Sequence, residues 1–176
     1  YYFNIGLLLI SIISVVDDVF HIHQFIRFLA HSVAAYFLLL QLNLVFLFPY
    51  LSILIFILII SWLNAYNFMD GINGMLSLYS LTIFITFYLL NHRNQFIDFN
   101  LIEVMVFSLL IFSFFNLRKK ALMFSGDVGS ITISYIIAFI FIYFFKNEIN
   151  LNYLLFFSIY GIETIFTICE RIMRKE

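Results

Sequence analysis

Apolar residues come in long runs along the chain, separated by short polar breaks that hold most of the charge. The runs cover residues 1–16, 28–48, 50–62, 75–90, 101–115, 128–145 and 151–169. Continuous apolar stretches repeated over a whole sequence read as transmembrane helices. The second and third runs are almost continuous. As one helix, residues 28–63 would measure roughly 54 Å, against a hydrocarbon layer of about 30 Å. A reversal around Gln41, Asn43 and Pro49 is therefore required. The pattern predicts an all-α, polytopic transmembrane helical protein with about seven membrane segments. With no Ser/Gly-rich linker and no internal repeat, residues 1–176 read as a single domain.

Composition removes the soluble alternative. The chain is 64% hydrophobic and 11% charged, whereas a soluble domain is nearer half apolar with about a quarter of its residues charged. A water-soluble fold of this length would lack the polar surface to cover its core. The formal net charge of −1 gives no basic excess, and no nucleic-acid partner is expected. The single cysteine, Cys169, rules out an internal disulfide. No basic stretch precedes the first run, so it does not read as a signal peptide. The sequence opens inside an apolar run and stops after a basic cluster, which reads as truncation at both ends.

Seven crossings put alternate breaks on opposite sides of the membrane. One side collects Arg27, Arg118, Lys119, Lys120, Arg171, Arg174 and Lys175, and the other holds Arg93 and Lys146. The first side is cytoplasmic by the positive-inside rule. Asp17, Asp18, Asp70 and Asp127 were not used in that assignment, yet all fall on the same side.

Three polar clusters on that side are candidates for chemistry. In the first, Asp17 and Asp18 are adjacent carboxylates whose mutual repulsion and partial burial suit a cation site or a general base. A solvated helix end is the structural alternative. His21 and His23 follow but lack a third imidazole or thiolate partner for zinc. Arg27 and His31 are four residues apart, share a helix face and could meet a phosphate or anchor the helix at the interface. In the second cluster, Asn64, Asn67, Asp70 and Asn73 recur every three residues, which would make one polar stripe if the stretch is helical. Such a stripe at a membrane boundary is costly unless hydrated or bound to something polar. Gly71 and Gly74 permit a turn and a close approach. In the third, Ser125-Gly126-Asp127-Val128-Gly129-Ser130 opens a helix whose free N–H groups attract anions. Asp127 would repel a phosphate unless a divalent cation bridges them, and magnesium commonly binds through one or two carboxylates plus substrate phosphates. The same stretch could simply cap the helix. Glu163 lies within the last run and is a candidate by its place alone.

Taken together, Asp17-Asp18, NAYNFMDGING over 64–74 and SGDVGS over 125–130 resemble the polyprenyl-phosphate N-acetylhexosamine-1-phosphate transferases of glycosyltransferase family 4. Asn116 and the basic residues after it also fit. The wording of the second and third motifs is closer to the branch that primes surface polysaccharides than to the peptidoglycan branch. The resemblance spans essentially the whole chain. It departs at Asn73, where many members have aspartate, and in lacking a histidine-rich loop after Glu176 and helices before Tyr1.

The resemblance implies transfer of a sugar 1-phosphate from a UDP-N-acetyl-sugar such as UDP-GlcNAc to undecaprenyl or another polyprenyl phosphate, with release of UMP. It places the work at the cytoplasmic face of the bacterial inner membrane, in cell-envelope or lipopolysaccharide synthesis. Asp17, Asp18 and Asp127 are the implied catalytic residues. Mg²⁺, or Mn²⁺ in its place, is the implied cofactor, held by Asp127 and Asp70. Asn64, Asn67, Asp70, Asn73, Asn116 and Lys119 are the implied substrate-binding residues. Membrane lipid surrounds the protein, and a homodimer is left open. Two other classes compete with this reading. An ion-coupled transporter would place its acids near the bilayer midplane in broken helices, whereas these sit at one face. A non-catalytic paralogue would not need to keep all three acidic clusters.

Overall fold

The computed structural model describes residues 1–68, 70–118 and 120–174. The described residues are 84% helical, with no strand among them. The helices are α1 (Tyr2–Phe20), α2 (Gln24–Gln41), the single turn α3 (Leu44–Leu47), α4 (Pro49–Phe68), α5 (Met75–Asn94), α6 (Phe99–Asn116), α7 (Gly126–Asn147) and α8 (Ser158–Arg174), with a 3-10 segment at Leu151–Phe157 before α8.

The breaks have local causes. His21 turns into the left-handed region and its N–H closes onto the Asp17 carbonyl at 2.9 Å, ending α1. The His23 ring then accepts from the N–H of Phe25 at 3.2 Å and caps α2. The reversal expected near Gln41, Asn43 and Pro49 is present. Asn43 is left-handed at φ 55°, and Pro49 opens α4, where its missing N–H costs nothing. Asn91 is fully buried and closes the α5–α6 turn by exchanging both amide ends with the backbone of Ile97, at 2.7 and 3.0 Å.

Six helical spans are long and apolar enough to cross a membrane: Tyr2–Phe20, Pro49–Phe68, Met75–Arg93, Phe99–Asn116, Gly126–Asn147 and Leu151–Arg174. Helix α2 is not among them, because its polar residues lower its hydropathy, yet it reaches from one end of α7 to the other. Its first turn places Arg27 against Asp127 at the start of α7. Its last carbonyls receive Lys146 from the end of α7, Nζ to the Leu42 oxygen at 2.9 Å. Helix α2 therefore covers the same height as α7 and is linked to it by long side chains, while its close packing is on α1 and α4. Polar Gln24, Arg27, His31, Ser32 and Gln41 dilute the apolar character of α2, and its neighbours shield it. The chain is an all-α, polytopic membrane protein.

Helix α7 is the spine, with Ile131, Tyr135, Ile137, Ile140 and Phe144 buried and packed on α1, α4 and α5. Small residues let the helices close on one another, as lipid-embedded packing requires. Ala34 and Ala35 of α2 are completely buried, and the Tyr135 hydroxyl donates to the Ala34 carbonyl at 3.0 Å. Gly6 of α1 lies directly against that hydroxyl, leaving no room for a Cβ. Trp62 binds the Ser134 carbonyl through Nε1 at 3.0 Å and heads an aromatic cluster with Tyr66, Tyr79 and Tyr160. The outward faces are apolar, with Leu8, Ile12, Phe107, Phe114 and Ile165 exposed. Such a surface fits a lipid solvent rather than water.

Some boundaries differ from the sequence pattern. The run 50–62 continues as helix to Phe68, which brings Asn64 and Asn67 onto α4. The run 151–169 begins as a 3-10 segment before it becomes α8. The connections at the acid-bearing end are tied together by Asn116, the last residue of α6. Its Oδ1 accepts from the N–H of Gly74 at 2.6 Å and its Nδ2 donates to the Met123 carbonyl at 2.9 Å.

Gly6→Ala should destabilise the protein by about 1–3 kcal/mol, the usual cost of overpacking. Thermal unfolding in detergent should show less than additive loss when it is combined with Tyr135→Phe, which removes the clashing oxygen. Asn116→Ala should cost about 1–3 kcal/mol by stranding the buried Gly74 N–H and releasing the Met123 carbonyl. Hydrogen exchange should accelerate at the Gly74 amide while the core of α7 keeps its protection.

Candidate active site

The three clusters that lie far apart in sequence meet at one end of the bundle. Asp17 sits on the last turn of α1, where its Oδ1 accepts from the N–H of Ile22 at 2.9 Å. Its Oδ2 takes Nη1 of Arg27 at 2.8 Å. The same Nη1 lies 3.3 Å from Oδ2 of Asp127, in the first turn of α7. The carboxyl groups of Asp17 and Asp127 stand within hydrogen-bonding reach of each other. Asp18 turns the other way and accepts the backbone N–H of Asp127 at 3.2 Å through Oδ1. That contact requires a bare backbone beside it. A Cβ at Gly126, which has φ 59°, would stand 2.6 Å from Oδ2 of Asp18.

The second motif supplies the other wall. Asn67, on the last turn of α4, accepts from the Ser130 hydroxyl and reaches the Asp127 carboxylate. Asp70, in the turn after α4, accepts from the Ser125 hydroxyl through Oδ2. Burial pushes the Asp70 carboxyl above the usual carboxylate range, the Ser125 hydrogen bond opposes this, and the nearby charge of Asp127 adds to it. Arg27 is the one cation recorded in ion pairs with these acids among the described residues. Arg118 instead lies over the rings of Phe114 and Phe115, at 5.0 and 5.9 Å from their centroids.

The expected stripe of Asn64, Asn67, Asp70 and Asn73 is realised only in part, because the helix ends at Phe68 and a glycine-bearing turn follows. Asn64 and Asn73 are exposed, and the Asn64 amide donates back to the Ile60 carbonyl at 2.8 Å. Asn116 lies behind the loops with both amide ends on backbone. Lys119 and Lys175 lie outside the described residues. His21 and His23 join no metal-holding group, and no set of three or more His, Cys, Asp or Glu side chains has such an arrangement among the described residues.

Arg27 sits at the centre of the cluster, a place its sequence position does not disclose. The available signal was its helix register, on the face that follows Asp17 across a short turn. Ser125 and Ser130 belonged to a motif whose acid drew attention first, yet their hydroxyls join Asp70 and Asn67 to α7. His31, one turn beyond Arg27, is 2% exposed with Nε2 unpartnered.

The chain matches the family described as Glycosyl transferase family 4 over residues 1–145. It is also similar to a phospho-N-acetylmuramoyl-pentapeptide-transferase from Streptococcus uberis (strain ATCC BAA-854 / 0140J), at 36% identity over 100 residues. That alignment takes in 53% of this chain and 30% of the relative, so the chain spans under a third of that protein's length. No solved structure matches it. The family match contains the Asp17-Asp18 pair, the 64–74 stretch and the 125–130 stretch, and the chain belongs to glycosyl transferase family 4.

Proposed function

We propose that this chain is the membrane core of an enzyme that transfers an N-acetylhexosamine 1-phosphate from a UDP-sugar to undecaprenyl or another polyprenyl phosphate. The observation that supports this most directly is the convergence of Asp17, Asp18 and Asp127 at the start of α7, with Asp70 linked through Ser125. Four carboxylates with one paired arginine leave an excess of negative charge. A site for two anionic substrates needs that excess answered by a metal cation.

The donor set fits magnesium. The available ligands are carboxylate and hydroxyl oxygens, and two carboxylate oxygens already converge on one cationic nitrogen. Magnesium needs only one or two protein carboxylates when substrate phosphates complete its shell. Asp127 would hold it, with Asp70 on the adjoining side, and Mn²⁺ could replace it. When bound it would neutralise the diphosphate as charge moves onto the leaving UMP.

An oxygen of the lipid phosphate attacks the β-phosphorus of the UDP-sugar. The bond from that phosphorus to the bridging oxygen breaks, and UMP departs with the oxygen and its electron pair. One phosphoanhydride replaces another, so alignment and electrostatics do most of the catalytic work. Asp17 or Asp18 positions the lipid phosphate or removes its proton. Asn67 orients Asp127, whereas the exposed side chains of Asn64 and Asn73 would meet the nucleotide-sugar, a role the family resemblance also gives to Lys119. Asn116 holds the two loops in register around them.

The site would lie at the cytoplasmic face of a bacterial inner membrane, where soluble UDP-sugars are available. The motif wording favours UDP-GlcNAc and priming of a surface polysaccharide. The Streptococcus uberis relative points to a muramoyl-pentapeptide donor as the competing substrate.

Membranes carrying the protein should release UMP from UDP-GlcNAc when given undecaprenyl phosphate and Mg²⁺, and EDTA should stop the release. Asp127→Asn should lower turnover by at least about a thousandfold, the scale of losing a principal transition-state charge contact, while the protein stays in the membrane. Near-normal turnover in that variant would sink the assignment. Preference for UDP-N-acetylmuramoyl-pentapeptide would move the chain to the other branch.

A further inference from the structure

We propose that Arg27 is the resident counter-ion of the acidic cluster, holding the side of the Asp127 carboxylate that the divalent cation takes during the reaction. The cation and Arg27 then exclude each other. This rests on the metal role given to Asp127 in the proposed function.

Two carboxylate oxygens from different helices point at a single nitrogen. Arg27 Nη1 is 2.8 Å from Oδ2 of Asp17 and 3.3 Å from Oδ2 of Asp127. Magnesium binds carboxylate oxygens at about 2.0–2.1 Å, so an ion on Asp127 would sit nearer to that oxygen than the guanidinium now does. Shared occupancy would also put a divalent and a monovalent charge side by side. At about 5 Å their repulsion weakens binding by about an order of magnitude even in water, and by more where the dielectric is lower.

The arginine has somewhere to go. It lies near the start of α2, its side chain is 30% exposed, and its stem rises from the polar end of the bundle. Its partners there are these two acids. Once displaced, the guanidinium is free to form a forked pair with a phosphate, a geometry that lysine does not offer. Free cation is then a poor ligand for the resting site. A cation already complexed to a nucleotide diphosphate is a good one, because it brings both the replacement charge and a new partner for Arg27. Metal and sugar nucleotide would enter together.

The test is binding of Mn²⁺ to the purified protein in lipid nanodiscs without nucleotide, read from the electron paramagnetic resonance signal of the free ion. Replacing Arg27 by either neutral residue, Arg27→Gln or Arg27→Met, should tighten Mn²⁺ binding about tenfold, the effect of removing a unit charge at this distance. Arg27→Lys keeps the charge and should stay within about threefold of wild type. In the neutral variants UMP turnover should fall although the metal binds more tightly, since the phosphate partner is gone. A variant whose site had merely collapsed would bind Mn²⁺ more weakly, so the sign of the change separates displacement from damage. Unchanged or weaker Mn²⁺ binding in the neutral variants, with binding abolished by Asp127→Asn, would overturn the role of Arg27 and leave the metal assignment standing. Wild-type affinity in Asp127→Asn would remove the metal assignment, and this proposal with it.

Discussion

Holding carboxylates together at the edge of an apolar layer is the constraint around which this molecule is organised. Asp17 and Asp127 come from helices more than a hundred residues apart in the chain, and their carboxyl groups lie close enough to hydrogen-bond. Like charges at that separation repel strongly once water is partly excluded. The Arg27 guanidinium between them supplies the positive charge that lets α1 and α7 finish side by side. A helix carrying that arginine has to begin at this end of the bundle and cross back beside both. That requirement places α2 where it is, despite its polar residues.

The remaining packing holds this end in register. At the far end, Lys146 binds the Leu42 carbonyl just after α2, and the backbone N–H of Phe3 donates to Oε1 of Gln41 at 3.4 Å. These contacts pin α1, α2 and α7 against sliding. Close helix approach at Gly6, Ala34 and Tyr135 sets the spacing in the middle of the layer. On the other side, Trp62 anchors α4 to α7, so Asn67 and Asp70 arrive beside Ser130 and Ser125. The polar network is small, and almost every member is held by two elements. A one-turn slip of any helix would separate acids from their partners, and an unpaired charge at this depth is expensive.

The family match covers all three acidic clusters within residues 1–145. The Streptococcus uberis relative is aligned over 30% of its length. The family match therefore contains the helices that bring the acids together. Beyond residue 145, the 3-10 segment and α8 add the aromatic contacts of Phe157 and Tyr160 to Trp62, and Arg171 over the ring of Phe68 at 4.9 Å. The last helix thus lies against the end of α4 that carries Asn64 and Asn67.

Hydropathy alone determined that this is a helical membrane protein, because a backbone in lipid must satisfy its own hydrogen bonds and a long apolar run leaves few other solutions. The reversal near Pro49 followed from length, and the common side of the three acidic clusters followed from alternating topology. Each is a one-dimensional property of the chain. Tertiary structure decided which polar residues touch. It made Arg27 the hub, turned Asn116 into a strut for two loops, and left Asn64 and Asn73 outside the acidic network. It also packed α2 closely on α1 and α4 despite its polar residues. Such outcomes depend on helix rotation and on which helices are neighbours. A period of three or four residues specifies a face, but only packing against α1, α4 and α7 specifies what that face meets.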